Sequence, residues 1–182
     1  MKATGIVRRI DDLGRLVIPK EIRRSLRIHE SDPIEIFTER DGEIVLRKYA
    51  RIHELTEYCA KVVQAINGTF GCQAAITDCE KVLCAAGAHK SQLQVMTLSE
   101  ACMERIRKKQ SVIFEEATPQ KPTLFSENVL EISSAILLPI LTQGDAVGSI
   151  LICSESNSEH FGPAELQTLK AFSLYLGKLL EE

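Results

Sequence analysis

TGIVRRIDDLGRLVIPKEIRRSL, residues 4–26, decides how the first third of this chain is read. Its arginines, Arg8, Arg9, Arg15, Arg23 and Arg24, lie among Ile6, Val7, Leu16, Val17, Ile18 and Ile22, so the basic groups ride on segments with apolar surface to bury. A disordered basic tail would lack such segments. Thr4–Ile10 and Leu16–Ile18 are β-branched runs that predict short strands, and Asp11-Asp12-Leu13-Gly14 between them predicts a turn. Pro19 fits the first position of a short helix in which Ile22 and Leu26, four apart, form one apolar edge.

Downstream, Asp32-Pro33 predicts a second turn, and alternation begins directly after it. Ile34, Ile36 and Thr38 face one way, Glu35, Phe37 and Glu39 the other. Asp41-Gly42 is a strong hairpin signal, with Glu43–Tyr49 as the return strand. A unit of about 50 residues with few large aromatics buries too little by itself, so it is expected to dimerise. These residues, TGIVRRIDDLGRLVIPKEIRR and a D-G hairpin ending in LRKY, resemble the DNA-binding domain of the AbrB family of bacterial transition-state regulators over residues 1–50. The resemblance implies an obligate dimer of interleaved hairpins, the swapped-hairpin fold, bound to double-stranded DNA. Arg8, Arg15, Arg23 and Arg24 match the arginines that family uses against DNA, and Arg9 stands where it also carries a basic residue. Guanidinium groups suit that role because they bridge phosphate oxygens in pairs and reach guanine edges or a narrow minor groove. The plainer alternative is a set of solvated arginines paired with Asp11, Asp12 and Glu21; Lys2, Lys20 and Arg27 are weaker candidates for DNA contact.

The charge distribution agrees with a polyanion partner for the front of the chain. The whole of its 182 residues holds 22 Lys and Arg against 25 Asp and Glu, but residues 1–52 hold twelve against nine and the remainder ten against sixteen. No stretch approaches the roughly 20 apolar residues that cross a bilayer, and no secretory signal pattern opens the sequence, so no membrane role is expected. The six cysteines include no C-x-x-C pair and no histidine at zinc-ligand spacing, so free thiols in a reducing cytoplasm, and no metal, are expected.

After Tyr49 the pattern changes. Ile52, Leu55, Cys59, Val62 or Val63, and Ile66 recur at helical spacing, with Asn67-Gly68 as the expected stop. Cys72–Thr77 and Lys81–Ala86 predict strands; Leu98–Lys109 predicts a helix capped by Thr97 with Glu100 closing a capping box. Ser111–Glu116 predicts a strand, Ala117–Asn128 a loop, Ile132–Leu141 and Ala146–Ser154 a hairpin of long strands, and Pro163 the start of a final helix. The segment LLPILTQGDAVGSILICSE resembles the closing hairpin of GAF sensor domains. The expected architecture is an all-β-rich swapped-hairpin dimerisation and DNA-binding domain, residues 1–52, followed by an α+β GAF-like domain with an antiparallel sheet, residues 53–182.

Together the two resemblances imply an AbrB-family regulator of late sporulation genes in the forespore cytoplasm, able to activate and repress. They also imply a GAF-like domain that oligomerises the chain into a dimer of dimers and has room for an unidentified small molecule between the sheet and the Ala117–Asn128 loop. The N-terminal resemblance extends to MazE-type antitoxins, although an ordered second domain argues against that reading. Some GAF-fold proteins reduce free methionine sulfoxide with pocket cysteines, which directs attention to Cys84 and Cys102. No catalytic constellation supports an enzyme, since His29, His53, His89 and His160 are scattered without a nucleophile or paired carboxylate at useful spacing.

Overall fold

The computed structural model describes residues 5–30, 32–39, 42–114, 123–127, 130–155 and 161–181, and it divides into two units, Met1–Tyr49 and Ala50–Glu182. In the first unit, helix α1 (Lys20–Ser25) precedes a hairpin of β1 (Ile34–Thr38) and β2 (Ile44–Lys48), paired antiparallel from Ile34–Lys48 to Thr38–Ile44. Asp41 of the expected D-G turn lies outside the described residues, as do Lys2, His160 and most of the expected Ala117–Asn128 loop. Pro19 is the residue before α1, one position earlier than expected, with extended ψ of 149°.

The expected strands at Thr4–Ile10 and Leu16–Ile18 are absent among the described residues. A strand needs a neighbour for its N–H and C=O groups; the turn that joins these segments is closed by the Asp11 N–H on the Arg15 carbonyl at 3.1 Å, and no ladder runs on from it among the described residues. The same shortage governs packing. No side chain among the described residues of this unit is buried, and Val7 is 85% exposed, Val17 71% and Ile36 66%. The unit carries the apolar residues of a core without the second half of one.

The second unit is complete in itself. A 3₁₀ turn (Arg51–Leu55) leads into α2 (Thr56–Phe70), then β3 (Gln73–Thr77), β4 (Val82–Ala86), the short α3 (Lys90–Leu93), α4 (Glu100–Arg107), β5 (Val112–Phe114), β6 (Ser134–Thr142), β7 (Asp145–Ser154) and α5 (Pro163–Leu179). The five strands form an antiparallel sheet in the order β4-β3-β7-β6-β5, with the long hairpin at its centre. Alternation along β7 sends Ile150 and Ile152 to a core under α2 and α5, and Leu151 and Cys153 to a second core under α4. Pro139 cannot donate to a ladder. It is tolerated in β6 because β5 pairs only with Ala135, Ile136 and Leu137, leaving β6 an edge strand beyond them.

Several boundaries differ from the sequence reading. Asn67-Gly68 does not stop α2, which runs on to Phe70 and ends at Gly71 in the left-handed region, φ 71°, where the Gly71 N–H meets the Asn67 carbonyl. Helix α4 is capped by Ser99, whose Oγ accepts from Cys102 N–H at 3.2 Å, and not by Thr97. Thr97 and Leu98 are instead taken by bridges to Lys81 and Phe125, which removes them from the helix.

Candidate nucleic-acid interface

The candidate interface is built around the turn at residues 11–14. The Gly14 N–H donates to the Asp11 carbonyl at 3.0 Å, closing the turn, and Gly14 adopts φ +75°, a conformation a side chain would strain. The Asp11 carboxylate then organises the residues after it. Its Oδ1 accepts from the backbone N–H of Leu13 at 3.0 Å and of Arg15 at 2.7 Å, and its Oδ2 accepts from Arg15 Nε at 2.7 Å. These bonds, led by the Arg15 backbone N–H, hold the Asp11 carboxyl below its ordinary range, so it stays ionised.

Arg15 leaves this turn with its side chain 68% exposed, while Arg8 and Arg9 lie on the segment that enters it. Arg23 and Arg24 occupy the last turn of α1, where positive charge complements the helix C-terminus. That turn closes through the Ile28 N–H on the Arg23 carbonyl at 2.7 Å, with Arg27 at φ +52° reversing the chain. All five arginines are exposed, and among the described residues Arg15 alone of the five has an ion-pair partner. The plainer alternative of arginines spent on Asp11, Asp12 and Glu21 therefore describes Arg15 in part and not the others.

The reversal after α1 is pinned to the hairpin. Asp32 Oδ2 accepts from the His29 N–H at 2.8 Å and lies 3.2 Å from Lys48 Nζ, which also donates to the Arg27 carbonyl at 3.0 Å. Asp32 and Lys48 thus tie the arginine-bearing helix to β2. Sequence reading did not find this link, although the Asp-Pro turn signal lay beside it.

In the second unit, Cys84 of β4 faces the core under α2 and Cys102 belongs to α4 and faces the other core, so they line no common pocket. Cys84 instead shares the core under α2 with Cys59 of that helix, both buried. A cavity of about 200 Å³ lies between α3 and the following segment on one side and Phe125, Ser126 and Glu127 on the other. That is smaller than the roughly 300–1,000 Å³ of ordinary small-molecule sites. Among the described residues no group of three or more His, Cys, Asp or Glu could hold a metal ion, and no helix is long and apolar enough to cross a membrane.

Known proteins divide the chain in the same two parts. Residues 54–181 match the family described as "Stage V sporulation protein T C-terminal, transcription factor", and residues 7–52 match "Antidote-toxin recognition MazE, bacterial antitoxin". Stage V sporulation protein T of Bacillus subtilis is 36% identical over 182 residues, all of both chains. The chain belongs to the stage V sporulation protein T family. Members are transcription factors by the family's own description, which makes this chain a sporulation transcription regulator. Its N-terminal domain is of AbrB type, 57% identical over 49 residues to the transition state regulatory protein AbrB of Bacillus subtilis, a match covering 27% of this chain and 50% of that one. The second domain has the GAF fold. It superposes on the GAF domain of an Acinetobacter phosphoenolpyruvate-protein phosphotransferase with TM-score 0.58 at 13% identity, covering 72% of this chain and 89% of that one. It also superposes on a type II free methionine-R-sulfoxide reductase from Thermoplasma acidophilum with TM-score 0.55 at 16% identity, covering 71% and 95%, a likeness of fold.

Proposed function

We propose that the chain binds double-stranded DNA as a homodimer formed by residues 1–52, with Arg8, Arg15, Arg23 and Arg24 of each protomer as the principal contacts and Arg9 in a lesser role. The observation that carries this reading is the pairing of an unburied apolar framework with exposed arginines in one unit. A second copy would cover Val7, Val17 and Ile36, complete the pairing of the two extended segments, and present the arginines twice about a two-fold axis. The dimer belongs to the AbrB-type fold; the residue assignments are inferences from chemistry and position.

The GAF-like domain acts as an oligomerisation and regulatory module that joins two such dimers into a tetramer and raises DNA affinity through avidity. No reaction is assigned to it, because the family is described as one of transcription factors; Cys84 shares a core with Cys59, and the Cys102 thiol donates to the Thr123 carbonyl at 3.8 Å. A regulator of this kind works in the forespore cytoplasm on the nucleoid, activating some late genes and repressing others. The similarity to MazE antitoxins covers the DNA-binding part alone, whereas the likeness to stage V sporulation protein T spans the chain.

The test is a mobility-shift titration at fixed salt with Arg15→Ala and Arg23→Ala. Each is expected to weaken promoter binding more than tenfold, by about 1.4 kcal/mol or more, while light scattering still reports the wild-type oligomer. Unchanged binding would remove the assignment. Removal of residues 53–182 is expected to leave a dimer with weaker DNA binding; a truncated chain that stays tetrameric would contradict the role given to the GAF-like domain.

A further inference from the structure

The turn that carries Arg15 is held by one side chain. Asp11 places Oδ1 on two backbone N–H groups, those of Leu13 and Arg15, and Oδ2 on Arg15 Nε. An arginine has five N–H donors in a rigid fork. With Nε engaged at 2.7 Å, the four donors on Nη1 and Nη2 remain, and among the described residues no other group takes them. Two of them, one on each Nη, form the end-on edge that fits guanine O6 and N7 or a pair of phosphate oxygens.

We propose that Asp11 is a positioning residue for DNA recognition: its carboxylate fixes the Arg15 guanidinium so that the Nη1/Nη2 edge meets DNA in one orientation. The inference rests on the assignment of Arg15 to the DNA interface. It explains why a carboxylate stands where a polyanion is to bind. A negative charge there lowers affinity for any duplex, and the compensation is selectivity, because a guanidinium held in one geometry discriminates among surfaces that a freely rotating one would accept alike.

The proposal separates from a structural role because the two oxygens have different duties. Asp11→Asn keeps an Oδ1 acceptor for the Leu13 and Arg15 backbone N–H groups and turns an NH₂ donor toward Nε, so the turn survives and the guanidinium is released. The experiment uses the full chain and two duplexes, one selected from a random-sequence pool by the wild-type protein and a shuffled one of the same length and composition. Asp11→Asn is expected to bind the shuffled duplex as well as or better than wild type, while the ratio of selected to shuffled affinity falls about tenfold. In an Arg15→Ala background the same substitution should leave that ratio where Arg15→Ala put it.

An unchanged ratio in Asp11→Asn overturns the proposal, as does an equal fall in the Arg15→Ala background, which would place the effect in the backbone turn. If Arg15→Ala itself leaves both affinities unaltered, the assignment of Arg15 fails, and that result is distinct from either. Asp11→Ser keeps a hydroxyl acceptor for the turn and lacks the carboxylate, so it must lower the ratio too, even if Asp11→Asn proves too unstable to titrate; a Ser variant with wild-type selectivity overturns the proposal.

Discussion

Gly177 of α5 lies against the Leu141 carbonyl of β6 so closely that a Cβ added to it would stand 2.1 Å from that oxygen. The contact places the final helix on the sheet, and the Ser173 hydroxyl one turn earlier fixes the same seam by donating to the Pro139 carbonyl at 2.8 Å. Backbone on both sides leaves little room to adjust. Gly177→Ala is therefore expected to destabilise the GAF-like domain by about 1–3 kcal/mol. Gly68, inside α2, meets nothing within 4 Å of an added Cβ, and Gly68→Ala should stabilise by about 0.5–1 kcal/mol. Thermal melts of the two variants check whether the signs are opposite.

A charge on the apolar face of the N-terminal unit tests the dimer. For an exposed position on a monomer, Val17→Asp would change stability by about 0.5 kcal/mol or less. In a dimer that covers Val17 it leaves an unpaired carboxylate in an interface and should abolish both N-terminal pairing and DNA binding, with the GAF-like domain still folded. Sedimentation together with a mobility shift reads both.

Alkaline pH is expected to weaken the core under α4. Burial pushes the Cys153 thiol up from 9.0 to about 12, with the charges of Cys72 and Glu155 acting the same way, and burial also raises Cys102. A folded-state pKa above the unfolded one favours the protonated native state, so this stability is complete below about pH 9 and is lost as pH rises toward 12. Cys153→Ala should flatten the fall of melting temperature above pH 9, whatever it does to stability at pH 7. An identical alkaline slope would show that the thiol is not responsible.

Much of this was written in the sequence. Alternation gave the first hairpin and two apolar runs around Gln143-Gly144-Asp145 the second, while the arginines were singled out by the resemblance to AbrB-type domains. What escaped has physical causes. The segments 4–10 and 16–18 have β-branched composition, but strand formation depends on a neighbour, and among the described residues this protomer supplies them none. Helix α3 spans one turn and has no periodicity to read. Thr97 and Ser99 are equally good caps by composition, and the choice between them was made by the bridges of Thr97 and Leu98, which are long-range contacts. The separation of Cys84 from Cys102 depended on which face of the sheet each element covers. Asp11 was visible as a turn residue and a nearby counter-charge; the division of labour between its two oxygens depends on how the Arg15 side chain folds back on the turn.

Whether the N-terminal arginines are what holds DNA is read from the salt dependence of binding by the full-length protein. Roughly eight arginine–phosphate contacts per dimer predict a slope of log K against log salt of about −7 on duplex DNA. Replacing Arg23 and Arg24 by alanine removes about four of those contacts and should reduce the slope by about 3 to 4, with the oligomer unchanged. A double variant that binds with the wild-type slope would contradict this assignment, because DNA would then be held by some other surface of the chain.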